Sequence, residues 1–89
     1  MMIIAISVDS HDNTLLMDPV IYNRGVIQIN IDKTIESCKL LVKKSITSKL
    51  NSKTNFAELK TIIKEVAGDY IYSKTHRHPM IIPVIMKKG

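Results

Sequence analysis

The chain has no tryptophan, one cysteine, three glycines, three prolines and only four aromatic residues. A single cysteine, Cys38, cannot close an internal disulfide, which excludes a stapled secreted scaffold and sets the expectation of a reducing, cytoplasmic setting. So few glycines and prolines argue against long disordered stretches. The longest apolar runs, such as Met1 to Ile6 and Met80 to Met86, fall far short of the ~20 residues that cross a bilayer, and no membrane partner is expected. The first run has no basic front and no small-residue cleavage site, so it does not read as a signal peptide. The aromatics Tyr22, Phe56, Tyr70 and Tyr72 are expected outside strands or beside helices, which argues against a base-stacking sheet of the RNA-recognition type. No internal repeat or low-complexity segment is present.

What is present is 89 residues, 45% hydrophobic and 24% charged, enough for the core of one domain spanning 1–89. A chain of this size removes only ~60% of its unfolded surface from water. Thirteen basic residues against eight acidic ones give a formal charge of +5, which permits contact with nucleic acid without requiring it. Eleven of the thirteen are lysines. Base-edge reading usually relies on arginine forks, so any binding implied here is to phosphate and is nonspecific.

Met2 to Asp9 is rich in Ile and Val, and Ser10-His11-Asp12-Asn13 supplies turn residues before the apolar Leu15 to Met17, a pattern that predicts a β-hairpin. Asp18-Pro19 breaks the run, Asn23-Arg24-Gly25 reads as a turn, and Val26 to Ile31 reads as a third strand. From Asp32, a candidate N-cap, Ile35, Cys38, Val42 and Ile46 share one helical face. After the polar stretch Asn51 to Thr54, a second helix is predicted with Asn55 as N-cap, Glu58 three residues on and an apolar face of Leu59, Ile62, Ile63, Val66 and Tyr70. It should stop before Pro79, and Gly68 inside it suggests a close helix contact. Met80 to Met86 reads as a last strand that Pro83 confines to an edge or a bulge. The order β-β-β-α-α-β predicts an α+β fold, a three- to four-stranded sheet with two helices packed on one face.

Candidates for chemistry are sparse. His76 and His78 could hold a metal only with a third ligand such as His11, and Lys74 to His78 reads more simply as a solvated basic loop. Cys38 sits among core positions with no neighbour that marks a nucleophile. Asp9, Asp12 and Asp18 flank turns, with nothing to raise one of their pKa values. The lysines 39, 43, 44, 60 and 64 read as solubilising helix faces. No catalytic residue and no cofactor is assigned to this chain.

The closing stretch Lys74-Thr75-His76-Arg77-His78-Pro79-Met80-Ile81-Ile82-Pro83-Val84-Ile85-Met86 resembles the end of ribonuclease J, of the metallo-β-lactamase and β-CASP nucleases, whose C-terminal domain carries Lys-Thr-x-Arg-Arg-Pro-Met-Ile-Leu-Pro-Val-Ile-Met. Ile4 to Asp9, Leu15-Leu16 and Asn23-Arg24-Gly25-Val26 resemble that domain's opening hairpin and its Ser-Arg-Gly-Phe-Val strand. His78 stands where the family has a second arginine, Asp18-Pro19-Val20-Ile21 where it has Gly-Pro-Asp-Ile, and Lys87-Lys88 replace its acidic tail. The resemblance implies an RNA-processing and decay nuclease whose two zinc ions sit in a catalytic domain, on a His-x-His-x-Asp-His run that this chain lacks. It implies a separated C-terminal domain that partners the catalytic domain of its parent chain and assists self-association. On that reading Ile82, Val84 and Ile85 are the candidate association residues. The alternative is a small basic module contacting RNA phosphates through Arg24, Lys74 and Arg77.

Overall fold

Eight residues at the start of the chain, Met2–Asp9, form strand β1 of a computed structural model that describes residues 1–24, 31–50 and 53–88. Strand β2 is Val20–Asn23, helix α1 is Ile31–Thr47, helix α2 is Phe56–Thr75 and strand β3 is Ile81–Lys88. The fold is α+β, with a mixed sheet in the order β2-β1-β3. β2 runs antiparallel to β1, with Met2 opposite Asn23 and Ala5 opposite Val20. β3 runs parallel to it in unbroken register from Met2 opposite Ile81 to Asp9 opposite Lys88. A parallel neighbour requires a crossover connection, and the two helices lie within it.

The alternation of β1 separates its faces. Met2, Ile4, Ile6 and Val8 are at most 1% exposed and join one core with Cys38, Val42 and Ile46 of α1 and Leu59, Ile63, Ala67 and Ile71 of α2. The helical residues recur every four positions, which keeps one stripe of each helix against the sheet. Both helices therefore cover the same face. Ile21, Ile81 and Ile85 extend that face into the flanking strands, and the Lys87 ammonium lies 4.8 Å over the Phe56 ring at its far end.

The ends of α2 follow from local chemistry. Asn55 Oδ1 accepts the Ala57 N–H at 2.8 Å, satisfying one of the donors that a helix start leaves open. At the other end His76 takes the left-handed conformation with φ 58°, and its N–H donates to the Tyr72 carbonyl at 2.7 Å. The helix thus stops before Pro79, as its spacing predicts.

Three expectations are corrected. Leu15 to Met17 does not form the second strand: it contributes one antiparallel bridge, Leu15 to Val8, and β1's partner on that side is Val20–Asn23. The reason is the local bonding of the turn. Asp9 accepts the His11 N–H, Asp12 accepts both the N–H and the hydroxyl of Thr14, and Asn13 at φ 60° closes the loop through its N–H to the Asp9 carbonyl. Tyr22, expected outside any strand, lies in β2. Ile31, expected to end a strand, begins α1, so Asp32 falls inside the first helical turn rather than at the cap. The rest of that expected strand, 26–30, lies outside the described residues.

Two outcomes follow from the packing. A Cβ built at Gly68 would meet Ile81 Cδ1 at 3.6 Å, ordinary contact, so no close approach demands glycine there. Gly68→Ala should raise stability by about 1 kcal/mol in urea unfolding, the helix-propensity difference. Burial pushes the Cys38 thiol up to about 11. At pH 8 roughly one thiol in a thousand is ionised, so iodoacetamide should react at least a hundredfold faster in urea than in buffer.

Candidate functional site

The sheet has a second face that no helix covers, and its composition follows from the register. Paired residues across a ladder point to the same side. Tyr22, Ile3 and Ile82 therefore form one row, Val20, Ala5 and Val84 the next, and Ser7 with Met86 a third. Apart from Ser7 these side chains are all apolar or aromatic. Tyr22 is 61% exposed, and Ile82 and Met86 are exposed as well. Val84 and Ile82 lie on this outer face, whereas Ile85 points the other way and packs against the core. The sequence reasoning did not single out Ile3, Val20 or Tyr22. The run Met2-Ile3-Ile4-Ala5-Ile6, apolar at both parities, was the signal that both faces of β1 are apolar.

β3 is an edge strand, as Pro83 requires, with no break in its register to β1. The Met2 N–H donates to the Met80 carbonyl and the Ser10 N–H to the Lys88 carbonyl, each at 2.8 Å. Backbone groups alternate sides along a strand, so even-numbered residues bond β1 and Pro83 turns its missing N–H to the open edge. A proline in the middle and lysines at the end discourage another strand from adding there. Here the face, not the edge, is the accessible apolar feature.

The backbones of Arg24, Lys74 and Arg77 lie toward the same end of the sheet. The Arg24 N–H donates to the Met1 carbonyl at 2.9 Å, which extends the β1–β2 ladder by one residue and sets Arg24 across Met1 from Met80. At ordinary strand spacing that separation is about 10 Å. Lys74 lies in the last turn of α2 and Arg77 in the connection from α2 to β3, which enters the sheet at that same end. All three residues are exposed. Lys74 Nζ lies 5.7 Å over the Tyr70 ring, and the Arg77 N–H donates to Thr75 Oγ1 at 3.1 Å.

The acid–base and metal candidates are dispersed. Thr14 holds the Asp12 carboxyl below the ordinary carboxylate range, first through its N–H and then through its hydroxyl. The Lys43 ammonium, 2.6 Å away, does the same for Asp18. Both shifts run opposite to what a general acid needs. Among the described residues no three His, Cys, Asp or Glu side chains are grouped to hold a metal ion. His76 and His78 pack around Tyr72, and His11 lies in the turn after β1, at the far end of the sheet. No helix among the described residues is long and apolar enough to cross a membrane.

The sequence matches the family profile described as the Ribonuclease J C-terminal domain over residues 1–88. It is 30% identical over 88 residues to Ribonuclease J2 of Bacillus subtilis (strain 168), an alignment that covers 97% of this chain and 16% of that protein. The chain thus spans about a sixth of the length of the curated relative it matches.

Proposed function

The chain belongs to the ribonuclease J C-terminal domain family, and from that premise we propose that it is the accessory and assembly domain of a cytoplasmic, ribonuclease J-like RNA-processing enzyme. In this reading it carries no catalytic residue. The parent's catalytic domain supplies the zinc and the hydrolytic chemistry, and this domain's contribution is to bring subunits together. The supporting observation is the uncovered sheet face, where Tyr22, Ile3, Ile82 and Val84 sit in adjacent rows while both helices occupy the opposite side. Apolar patches rimmed by polar residues mark interaction surfaces in soluble proteins. Ile82 and Val84 carry the association. Ile85, expected to join them, is partly buried against the core instead, because register puts it beside Ile6 on the helix-covered face.

Light scattering over a concentration series tests this. Self-association should rise with concentration for the unaltered chain, and Ile82→Lys should leave a folded domain that associates at least tenfold more weakly. Ile85→Lys should instead cost about 2 kcal/mol or more of stability, because it drives a charge under the helices. A chain that stays monomeric at millimolar concentration, or an Ile82→Lys variant that associates like the parent, contradicts the assembly role of this face.

A second reading is supported by the placing of Arg24, Lys74 and Arg77 toward the same end of the sheet: the domain binds RNA weakly through phosphates. Neither reading gives the chain a nuclease centre. Incubated with 5′-monophosphorylated RNA and zinc or manganese, the pure domain should leave the RNA intact, and metal-dependent cleavage that scales with protein would overturn the accessory role.

A further inference from the structure

We propose that Tyr72 and His78 form a stacking platform for one unpaired nucleobase of RNA, an extension that rests on the second reading above. The two rings lie 4.2 Å apart between centroids and are inclined by only 10°, a face-to-face stack. His76 meets the same tyrosine edge-on, at 5.8 Å and 84°. All three residues are exposed, so burial in the core does not account for the assembly. The left-handed His76 makes it possible: the chain reverses there, at the end of α2, and brings His78 back over Tyr72. Three rings preset in this way lose little side-chain freedom when another planar group is added.

Only one face of the His78 ring is taken by Tyr72. His78 also lines a groove of about 290 Å³ together with Lys64, Asp69, Pro79 and Ile81, the space into which we place the base. Arg77 is adjacent in the chain, exposed, and without an ion pair among the described residues, so its guanidinium is available to the phosphate of the stacked nucleotide. Aromatic faces accept any base, and cations along the backbone hold the strand, which together select single strands without reading sequence. An acidic peptide would use the cations but gain nothing from the ring face. A duplex would meet only the charges, because its bases are already stacked.

Fluorescence anisotropy with an unstructured single-stranded RNA and a duplex of equal length separates these cases. His78→Ala should weaken single-strand binding about tenfold, with duplex binding and the salt dependence of both unchanged. His78→Phe, which keeps a ring, should hold the unaltered value. Arg77→Ala should weaken both RNAs alike and make the salt dependence shallower. Circular dichroism checks that each variant is folded. If the unaltered chain binds single strands and His78→Ala binds them equally well, the platform is wrong and the phosphate reading stands. An equal loss on the duplex, or a failure of His78→Phe, also overturns the platform, since His78 would then act as a charge. If neither RNA binds at low salt, the phosphate reading fails and the platform with it.

Discussion

The burial of one side of β1 against both helices is the constraint on which the molecule depends. Met2, Ile4, Ile6 and Val8 are the inner row, and each of the two helices returns one stripe to it. Fully burying side chains of this kind is worth roughly 1.5–3 kcal/mol each, so this row dominates the favourable side of folding in so short a chain. Because β1 is central, its two neighbours inherit its register. Where Ile82, Pro83 and Ile85 point is decided by their pairing with Ile3, Ile4 and Ile6, not by their own preferences.

That inheritance ties stability to function. The side chains that β1 sends away from the helices, Ile3 and Ala5, meet Tyr22, Val20, Ile82 and Val84, and the result is a sheet apolar on both sides with a helical layer on only one. Such a sheet could grow at its edge or be covered on its face. Pro83 decides against the β3 edge, because the N–H it lacks would have faced outward. The assembly surface proposed here is thus the consequence of one proline and one register.

Charge is arranged independently of that face. The sheet ladder and the exit of α2 bring Arg24, Lys74 and Arg77 to one end, and the helix cap at His76 adds the ring stack of Tyr72 and His78. The face proposed for assembly and the basic end proposed for RNA lie apart and need not compete. Asp12 and Asp18 take no part in either. They are held in their charged forms by a turn and by Lys43, as suits residues that fasten loops.

What the sequence determined by itself was whatever depends on neighbours along the chain. The recurrence of Ile35, Cys38, Val42 and Ile46 marks the first helical face, Leu59 and Ile63 mark part of the second, whose buried Ala67 and Ile71 the spacing did not single out, Asn55 marks a helix start, Pro79 its limit, and Pro83 an edge strand. The family was also legible, in the Pro-Met-Ile-Ile-Pro stretch from Pro79 to Pro83 and its surroundings. Tertiary structure decided the rest. A four-residue strand such as Val20–Asn23 carries too little local preference to announce itself, and β1 recruits it by supplying a partner. Whether Ile82 or Ile85 faces outward rests on a pairing across more than seventy residues of chain, which no local period contains. The stack of Tyr72 with His78, and the placing of Arg24 at the end of the sheet where β3 begins, likewise exist only once the ladder and the αL cap have fixed where those backbones run.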